Sequence, residues 1–416
     1  MKALTAAIAA TLMSTAAYAV TPIGSEEFNI QPGFELAELT SENFYDVIVP
    51  QAKEEGKLTF FDFTNSFGPL FTDRLLAAFE EEYGITVNYI RGNNEAAVQQ
   101  LIAANNSGVA APADVYFVGS STTGLLMREN VMANVPLADL LPNADGFNQD
   151  IARVSGGVDH GGSYVPFHRN QTSIIYDTRT VSGDDVPTTA DALLAWAEAN
   201  PGKFVVTSPA GGGSGNGFMQ SVAYAKVEGD DCRAEFSNFS MTEDEAKAYV
   251  EGACLNPVWD YYKKLIPVAE ITNGNSDTLN LVANGAGAIG TAWEDMAYDF
   301  IGRGLLPPTV RQQIIESGQV GGGDGMFLPV GSEHPAAALL FLDFMSQHDI
   351  QLEKLGVNGS RSARTDIDPG KSFTEEQAAR LIPTNEFAER ALPSLPAPLR
   401  AAMRDYIVAN LLRATN

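Results

Sequence analysis

The four histidines of this chain form no recognisable metal-binding or acid-base motif. They are His160, His168, His334 and His348, and they include no H-E-x-x-H pair and no other close spacing of metal ligands. The sequence therefore predicts no metal site and no catalytic residue. The 52 acidic residues still leave open a pair of catalytic carboxylates that no motif marks.

The glycine-rich run GGGSGNGF at residues 211–218 is a second feature that could act on a ligand. It lacks the Lys and Ser/Thr of a phosphate-binding P-loop and does not match G-x-G-x-x-G. It also fails as a nucleophile elbow, because Asn216 stands where G-x-S-x-G requires glycine. Two interpretations remain: a flexible loop before a helix, whose N–H groups could bind a ligand, or a plain linker.

The elements that would position such residues are clearest between residues 57 and 124. Three apolar runs, LTFFDF, ITVNYI and DVYFV, alternate with two amphipathic helical patterns, the first of which ends at Gly84. This alternation predicts a β-α-β-α-β unit with a parallel sheet and right-handed crossovers. Ligands bind beyond the carboxyl ends of such strands, which here are residues 64–68, 91–94 and 119–122.

The length and composition of the chain predict a second unit of the same kind. With 416 residues, 45% of them hydrophobic, the chain can bury more than one core, so two lobes are expected. The run YVPFHRNQTSIIYD leads into the second lobe through a strand at residues 174–176. A helical pattern, the strand KFVVTSP and the strand GAIGTA follow, and GAIGTA is predicted to end in an aromatic-acidic loop at residues 293–295. The predicted fold class is α/β.

The first 19 residues predict an export signal. One Lys precedes an apolar stretch of about ten residues, and small residues end at Ala17-Tyr18-Ala19, which fits the A-x-A rule. The alternative is a short apolar helix of the mature protein. No later apolar run reaches the ~20 residues that a membrane span needs, so we expect a periplasmic chain that is not membrane-embedded. Residues 20–56 are expected to form an extension on the first lobe.

The charge of the chain and its two cysteines restrict its partners and its compartment. A formal net charge of -26 argues against nucleic acid, because phosphate contacts need clustered Lys and Arg. The acidity suits either a solubilising surface in a saline medium, which we favour, or a cationic ligand. Cys232 and Cys254 lie in a polar insert, and in an oxidising compartment this pair predicts a disulfide.

Several motifs in this order carry a resemblance to a known family. They are a first strand whose helix ends in YGITV, the strand ADVYFV before a polar loop, the segment VPFHRNQTSIIYD, and the strand and helix FLPVGSEHPAAALLFLDFMS. Over residues 55–350 the chain resembles the type II, family 1-like extracellular solute-binding proteins of ABC importers. The segments PFHRNQTSIIYD and SPAGGGSGNGF are most similar in shape to a branch near the thiamine, polyamine and iron binders.

The resemblance implies a two-lobe periplasmic binding protein that closes about a hinge on a small polar solute and delivers it to the permease subunits of an ABC importer. It implies residues 57–164 and 311–350 for lobe 1, and 165–310 and 351–416 for lobe 2, each with a mainly parallel sheet flanked by helices. A monomer without cofactor or catalytic activity is expected. The alternative is a secreted α/β enzyme, a hydrolase or a lyase, acting on a small polar substrate.

Mapped by position, the resemblance implies ligand-binding residues at the strand ends of both lobes. Lobe 1 would present Asn65, Ser66, Phe67, Asn94, Ser120 and Ser121; lobe 2 would present His168, Arg169, Asn170, Ser214, Asn216, Trp293, Glu294 and Asp295; Asp324 would lie at a further crossing.

Several of these residues have an ordinary structural alternative. Phe67 could belong to the core, and Arg169 could hold an interlobe salt bridge. One residue of the pair Asn93 and Asn94 is expected to cap the following helix. Trp293 is favoured as a cleft residue because acidic residues follow it.

Three ligand chemistries are compatible with these residues. Trp293 with Glu294 and Asp295 would suit a cation. Arg169 with the N–H groups of the glycine run would suit a carboxylate or phosphate. The Asn, Ser and Thr groups would suit hydroxyls. A zwitterionic or hydroxylated small solute would satisfy the most residues.

Overall fold

The structure is a computed structural model that describes residues 38–64 and 66–412. Its strands are β1 Lys57–Asp62, β2 Thr86–Arg91, β3 Val115–Val118, β4 Val154–Ser155, β5 Val158–Asp159, β6 Val165–His168, β7 Thr172–Asp177, β8 Phe204–Thr207, β9 Glu270–Thr272, β10 Ile289–Trp293, β11 Val310–Gln313, β12 Gln319–Val320, β13 Asp324–Phe327 and β14 Ala391–Leu392.

Twenty α-helices lie in the part of the chain that the structure describes. They are α1 Phe44–Glu55, α2 Gly68–Leu70, α3 Leu76–Tyr83, α4 Asn94–Asn106, α5 Thr123–Arg128, α6 Leu137–Leu140, α7 Gln149–Ala152, α8 Ala190–Ala199, α9 Gly213–Lys226, α10 Asp230–Ala234, α11 Glu243–Glu251, α12 Asn256–Leu265, α13 Asn275–Ala283, α14 Glu294–Gly302, α15 Pro335–Ser346, α16 His348–Asn358, α17 Pro369–Ser372, α18 Glu375–Ala378, α19 Thr384–Arg390 and α20 Ala397–Ile407.

The first sheet has the strand order β2-β1-β3-β13-β6. The strands β1, β2 and β3 are parallel, as the sequence predicts, and β13 runs antiparallel between β3 and β6. Alternate residues of β1 face opposite layers of helices: Phe60 contacts Phe71 and Phe341, whereas Phe61 belongs to the cluster that contains Val98 and Leu101 of α4. Both faces of the sheet are therefore covered, and its carboxyl edge stays accessible.

The second sheet has the order β11-β7-β10-β8-β9. The strands β8, β9 and β10 are parallel to one another, and β7 runs antiparallel to both β10 and β11. Ile174 and Ile175 of β7 point into separate hydrophobic clusters on the two faces of the sheet. The C-terminal helix α20 packs into the same lobe, where Leu399 and Met403 are fully buried. The two-lobe periplasmic binding-protein fold that the sequence predicts is thus observed.

The chain passes between the two sheets at residues 169–171 and again at residues 321–323. The strand β6 belongs to the first sheet and β11 to the second, so these passages lie slightly later than the lobe boundaries implied by the sequence. The two passages run beside each other, because Gln171 pairs with Gly321 in a single β-bridge.

The described part of the N-terminal extension forms α1, which packs against α15 of the first lobe. Phe44 and Ile48 of α1 are fully buried in the core, and the hydroxyl of Tyr45 donates to Asp343 at 2.7 Å. The predicted signal peptide lies outside the described residues. Within residues 38–64 and 66–412, no helix combines the length and apolar character needed to cross a membrane.

The predicted disulfide is present between Cys232 and Cys254, whose Cα atoms lie 5.6 Å apart. It joins α10 to the turn before α12 and closes a polar insert on the second lobe. The hydroxyl of Tyr249 donates to the carbonyl of Cys232 at 2.7 Å, which ties α11 to the same insert.

Replacing both cysteines with serine is expected to lower the free energy of unfolding of the second lobe by about 3 kcal/mol, because the disulfide closes a loop that would otherwise be free in the unfolded chain. The measurement is urea unfolding of the oxidised wild type and of the double variant. Reduction of the wild type should reproduce the loss, and an unchanged unfolding midpoint in both cases would contradict the expectation.

Candidate functional site

A polar cleft of about 780 Å³ lies at the carboxyl edge of the first sheet. It is where the three predicted strand-end loops meet the second passage between the sheets. Its lining residues are Phe63, Thr64, Arg91, Gly92, Asn93, Asn94, Glu95, Gly119, Ser120, Ser121 and Asp324. The position of the cleft follows from the parallel arrangement of β1, β2 and β3, since their carboxyl ends share one edge of the sheet.

Two buried side chains hold the loops of this cleft. Asn94 accepts a hydrogen bond from the N–H of Gly119 at 2.9 Å and so connects the loop after β2 to the loop after β3. Asp62, at the end of β1, accepts from the N–H of Thr64 at 2.7 Å. Asn93 caps α4 by accepting from the N–H of Ala96, which confirms the capping role expected for one of the two asparagines.

Asp324 joins the second passage to the loop after β3. Its Oδ1 accepts from the N–H of Ser120 at 2.9 Å, and its carboxylate lines the cleft. Burial raises the pKa of Asp324 to about 6. Ser121 is exposed and also lines the cleft. The structure therefore brings Asn94, Ser120, Ser121 and Asp324 together, as the sequence predicts.

His168 ends β6 and lies beside Asp324 in the register of the sheet. Its Nδ1 lies 2.5 Å from the hydroxyl of Ser360, and its Nε2 lies 2.8 Å from Nδ2 of Asn170. Burial lowers the pKa of His168 to about 3, so the ring is neutral at pH 7. Because the amide of Asn170 can only donate to Nε2, the ring proton is assigned to Nδ1.

Asp295 approaches the same histidine from the second lobe. It lies in the first turn of α14, with its Oδ2 3.8 Å from Nε2 of His168. The side chain remains 24% exposed, but its Oδ1 is buried and has no hydrogen-bond partner among the described residues. Burial, reinforced by the negative charges of Glu294 and Asp324, raises the pKa of Asp295 to about 7.

Trp293 is the last residue of β10, and the helix α14 begins at the next residue. The expected aromatic-acidic loop is therefore absent, because acidic side chains are favourable in the first turn of a helix and let it start at once. The half-buried indole packs over Gly213 of α9, where a Cβ would lie 2.4 Å from its Cζ2, and its Cη2 lies beside Gly322 of the second passage.

Glu294 is 1% exposed and uses its carboxylate within the protein. It makes two hydrogen bonds with the guanidinium of Arg361, of 2.7 and 2.9 Å, and accepts from the N–H of Ile382 at 2.8 Å. The guanidinium also lies over the ring of Phe387, 4.4 Å from its centroid. Glu294 therefore anchors the C-terminal segment to the second lobe and does not face the cleft.

Arg169 is buried in the first passage and makes no ion pair among the described residues. Its Nε donates to Gln171 at 3.1 Å, and its Nη2 donates to the carbonyl of Leu392 at 2.8 Å. Burial lowers the pKa of Arg169 to about 9, which leaves it charged at pH 7. The alternative of an interlobe salt bridge is therefore not observed, and Arg169 instead bonds to a neutral amide and a carbonyl.

The glycine-rich run is not a loop ahead of a helix, because α9 begins inside it at Gly213. A side chain at Gly215 would overlap the carbonyl of Thr207, its Cβ only 1.9 Å from the oxygen, so close packing explains that glycine. Ser214 is fully buried and donates to Asn275 at 2.8 Å. The amide of Asn216 bonds to Gln220 at 2.9 Å.

The loop after β1 contributes less of the predicted set. Phe67 is 2% exposed and packs in the core, with its ring 5.0 Å from the ring of His168, so the core alternative describes it. Ser66 is exposed, and its carbonyl accepts from Asn358 at 3.4 Å. Asn65 lies outside the described residues.

Sequence reasoning missed the buried residues that support the site from the C-terminal segment. Nζ of Lys354 donates to the carbonyls of Phe167 and Arg361 and to the hydroxyl of Ser360, directly behind His168. Lys354 is fully buried on α16, beside the buried Leu355. A lysine within the buried stripe of a helical pattern was the available signal. Phe63, Arg91 and Glu95 also line the cleft but were not among the predicted site residues, although the sequence located the strand ends beside them.

Comparison with known proteins identifies the family. The profile of the family "Bacterial extracellular solute-binding protein" matches residues 74–380, and this chain belongs to that family. No curated protein matches the chain.

Solved structures of solute-binding proteins share the fold. One, from Bordetella parapertussis, is described as an extracellular solute-binding protein (15% identity, TM-score 0.65, covering 86% of this chain and 99% of the other). Another is the cyclic alpha-maltosyl-1,6-maltose binding protein of Arthrobacter globiformis (13% identity, TM-score 0.60, covering 85% of this chain and 93% of the other). A third is the spermidine/putrescine substrate-binding protein PotD of Streptococcus pneumoniae (15% identity, TM-score 0.58, covering 85% of this chain and 97% of the other). The family and these neighbours are binding proteins, and nothing among them supports the enzyme alternative.

Replacing Glu294 with alanine is expected to lower the free energy of unfolding by about 3–5 kcal/mol, because the guanidinium of Arg361 would be left buried and unpaired. The matched control is Asp299→Ala on the same helix, which removes an exposed ion pair with Arg303 and should cost about 0–1 kcal/mol. Urea unfolding at pH 7 measures both. Equal losses of unfolding free energy in the two variants would show that the buried ion pair contributes no more to stability than the exposed one.

Replacing Asp295 with asparagine is expected to change how stability depends on pH. Because the pKa of Asp295 is raised in the folded state, its contribution is full below about pH 4 and is lost as pH rises through about 7. Asparagine does not ionise, so the melting temperature of the variant relative to the wild type should increase from about pH 5 to pH 8.

The control for this measurement is Asp299→Asn. The difference between its melting temperature and that of the wild type should stay constant between about pH 5 and pH 8. Groups that do not interact with Asp295 titrate alike in both proteins, so their contributions cancel in the difference. If the melting temperature of Asp295→Asn relative to the wild type did not change with pH, the raised pKa of Asp295 would be refuted.

Proposed function

We propose that this protein captures a small polar solute between its two lobes and delivers it to the permease subunits of an ABC importer. The observation that carries the proposal is the convergence of Asp324 from the first sheet and Asp295 from the second on His168, beside a polar cleft. Membership of the extracellular solute-binding family supports this function.

The ligand contacts that we propose are fewer than the sequence implied. On the first lobe they are Ser120, Ser121 and Asp324, and on the second they are Trp293 and Asp295. Asn170 is proposed to act at this site indirectly, through the hydrogen bond between its amide and Nε2 of His168. The remaining predicted residues are proposed to act from behind: Asn94, His168, Arg169, Ser214, Asn216 and Glu294 by holding loops and segments in place, and Phe67 as part of the wall beneath His168. Asn65 and Ser66 stay predicted contacts of the loop after β1.

Closure of the lobes is proposed to bend the two passages at residues 169–171 and 321–323. Both are short, and each is fixed to the other by hydrogen bonds, such as that from the N–H of Gly322 to the carbonyl of Asn170 at 2.8 Å. Short extended segments can absorb a rotation of two rigid bodies without breaking either core. The chain is further proposed to act as a periplasmic monomer, released from its signal peptide after Ala19, without catalytic activity or cofactor.

The test is a thermal-shift screen of the purified mature protein against sugars, polyols, amines, vitamins and organophosphates. A ligand present at 100 times its Kd adds about 2.7 kcal/mol of stability, which gives a clear rise in melting temperature. The absence of any shift, together with turnover of a compound in the same panel, would favour an enzyme and overturn the proposal.

For a compound that binds, Trp293→Ala is expected to weaken binding by about 1 kcal/mol or more, which is roughly a fivefold rise in Kd, because the variant loses an aromatic wall of the site. Isothermal titration calorimetry measures the change. The control is Trp196→Ala, which removes a half-buried indole on α8 of the same lobe. Equal affinity in the Trp293 variant and the wild type would place Trp293 outside the site.

A further inference from the structure

We infer that the solute is an organic cation, a protonated or quaternary amine, which Asp295 of the second lobe and Asp324 of the first receive together beside the indole of Trp293. The inference rests on the proposed function, since it names the class of solute that the same site takes. It also decides among the cationic, anionic and hydroxylated ligands that the residue types alone allow.

Two carboxylates from different lobes meet at His168. Asp324 belongs to β13 of the first sheet and Asp295 to α14 behind the second, and both lie next to His168. The negative charge of Asp324 opposes ionisation of Asp295, so the two groups repel each other when both are charged. A positive charge between them removes this repulsion, and it couples ligand binding to the approach of the lobes.

Asp295 has hydrogen-bonding capacity that the protein does not use. Its Oδ1 is buried and accepts no hydrogen bond from any described residue, and a buried carboxylate oxygen without a donor is costly. Asp324 uses Oδ1 for the N–H of Ser120. An ammonium group carries up to three N–H donors and a full positive charge, and it can therefore bridge acceptors on both lobes.

The positively charged side chains near the site already have partners inside the protein. The guanidinium of Arg361 is paired with Glu294, and that of Arg169 donates to Gln171 and to a backbone carbonyl. The ammonium of Lys354 donates to two carbonyls and a hydroxyl. The N–H of Ser214 in the glycine run donates to Asn275 at 3.1 Å. Arg91 of the cleft likewise donates from Nη2 to the carbonyl of Thr64 at 3.2 Å. The groups that would have suited an anion thus have partners within the protein, whereas Oδ1 of Asp295 accepts no hydrogen bond among the described residues.

The site suits an organic cation better than a metal ion. Among residues 38–64 and 66–412, no group of three or more His, Cys, Asp or Glu side chains could hold a metal. Trp293 ends the strand that leads into α14 and Asp295, and its indole lies beside Gly322, two residues before Asp324. Indole is the side chain that attracts ammonium groups most strongly.

The experiment uses the full mature chain and a bacterial extract of small polar metabolites, freed of metal ions on a chelating resin and divided on a cation exchanger. We expect the retained fraction, which holds the amines, to raise the melting temperature, and the unretained fraction to have no effect. Native mass spectrometry of the protein after exposure to the retained fraction then gives the mass of the bound amine.

Variants assign the effect to the two carboxylates. Asp295→Asn and Asp324→Asn should each weaken binding of that amine by about tenfold or more, since each removes one charge of a desolvated pair with the ligand. Asp299→Asn, on the exposed side of α14, should bind it as the wild type does. If either site variant had an altered unliganded melting temperature, the affinity would be taken from calorimetry below that temperature.

The outcomes separate this inference from the proposed function. A shift given only by the unretained fraction would overturn the cationic ligand and leave solute capture intact. A shift from the retained fraction that survives in both site variants would overturn the assignment to Asp295 and Asp324. A shift from neither fraction would overturn solute capture and the cationic ligand with it.

Discussion

The rest of the structure depends on the hydrogen bonding of the two chain passages that join the sheets. The amide of Gln171 donates to the carbonyl of Gln319 at 2.9 Å, and the hydroxyl of Thr172 donates to the carbonyl of Val320. Side chains at the end of the first passage and the start of β7 thus satisfy backbone carbonyls of β12, the short strand just before the second passage. The junction therefore holds the first passage against the segment that leads into the second.

Buried charge surrounds the junction, and its cost explains why so many side chains there are committed to the protein. A charged group that leaves water must find charged or hydrogen-bonding partners. Lys354, Arg169 and Arg361 each meet this condition with carbonyls, a neutral amide or a carboxylate. Asp295 and Asp324 do not meet it fully, and their raised pKa values follow. The positive group that we infer as the ligand would supply the partner that these two carboxylates lack.

Sequence patterns predicted the first lobe and its cleft more closely than they predicted the second half of the site. The strands β1 to β3 follow strict local periodicities, so their carboxyl ends, and with them Ser120 and Asn94, could be located in advance. The errors arose where packing decides the role of a residue. Ser214 and Glu294 have the same polar types as cleft residues, but the first is buried against Asn275 and the second against Arg361. Neither partner is near in sequence.

The sequence by itself determined the alternation of strands and helices, the two lobes, the disulfide between Cys232 and Cys254, and the edge of the sheet at which a ligand would lie. These features follow from short-range periodicity and from residue types that act locally. Only the tertiary structure decided which polar groups remain available. His168 meets Ser360 across 192 positions of the chain, and Lys354 meets the carbonyl of Phe167 across 187. Such pairings are set by how the lobes pack and by the cost of burying an unsatisfied charge, and neither leaves a periodic signal in the sequence.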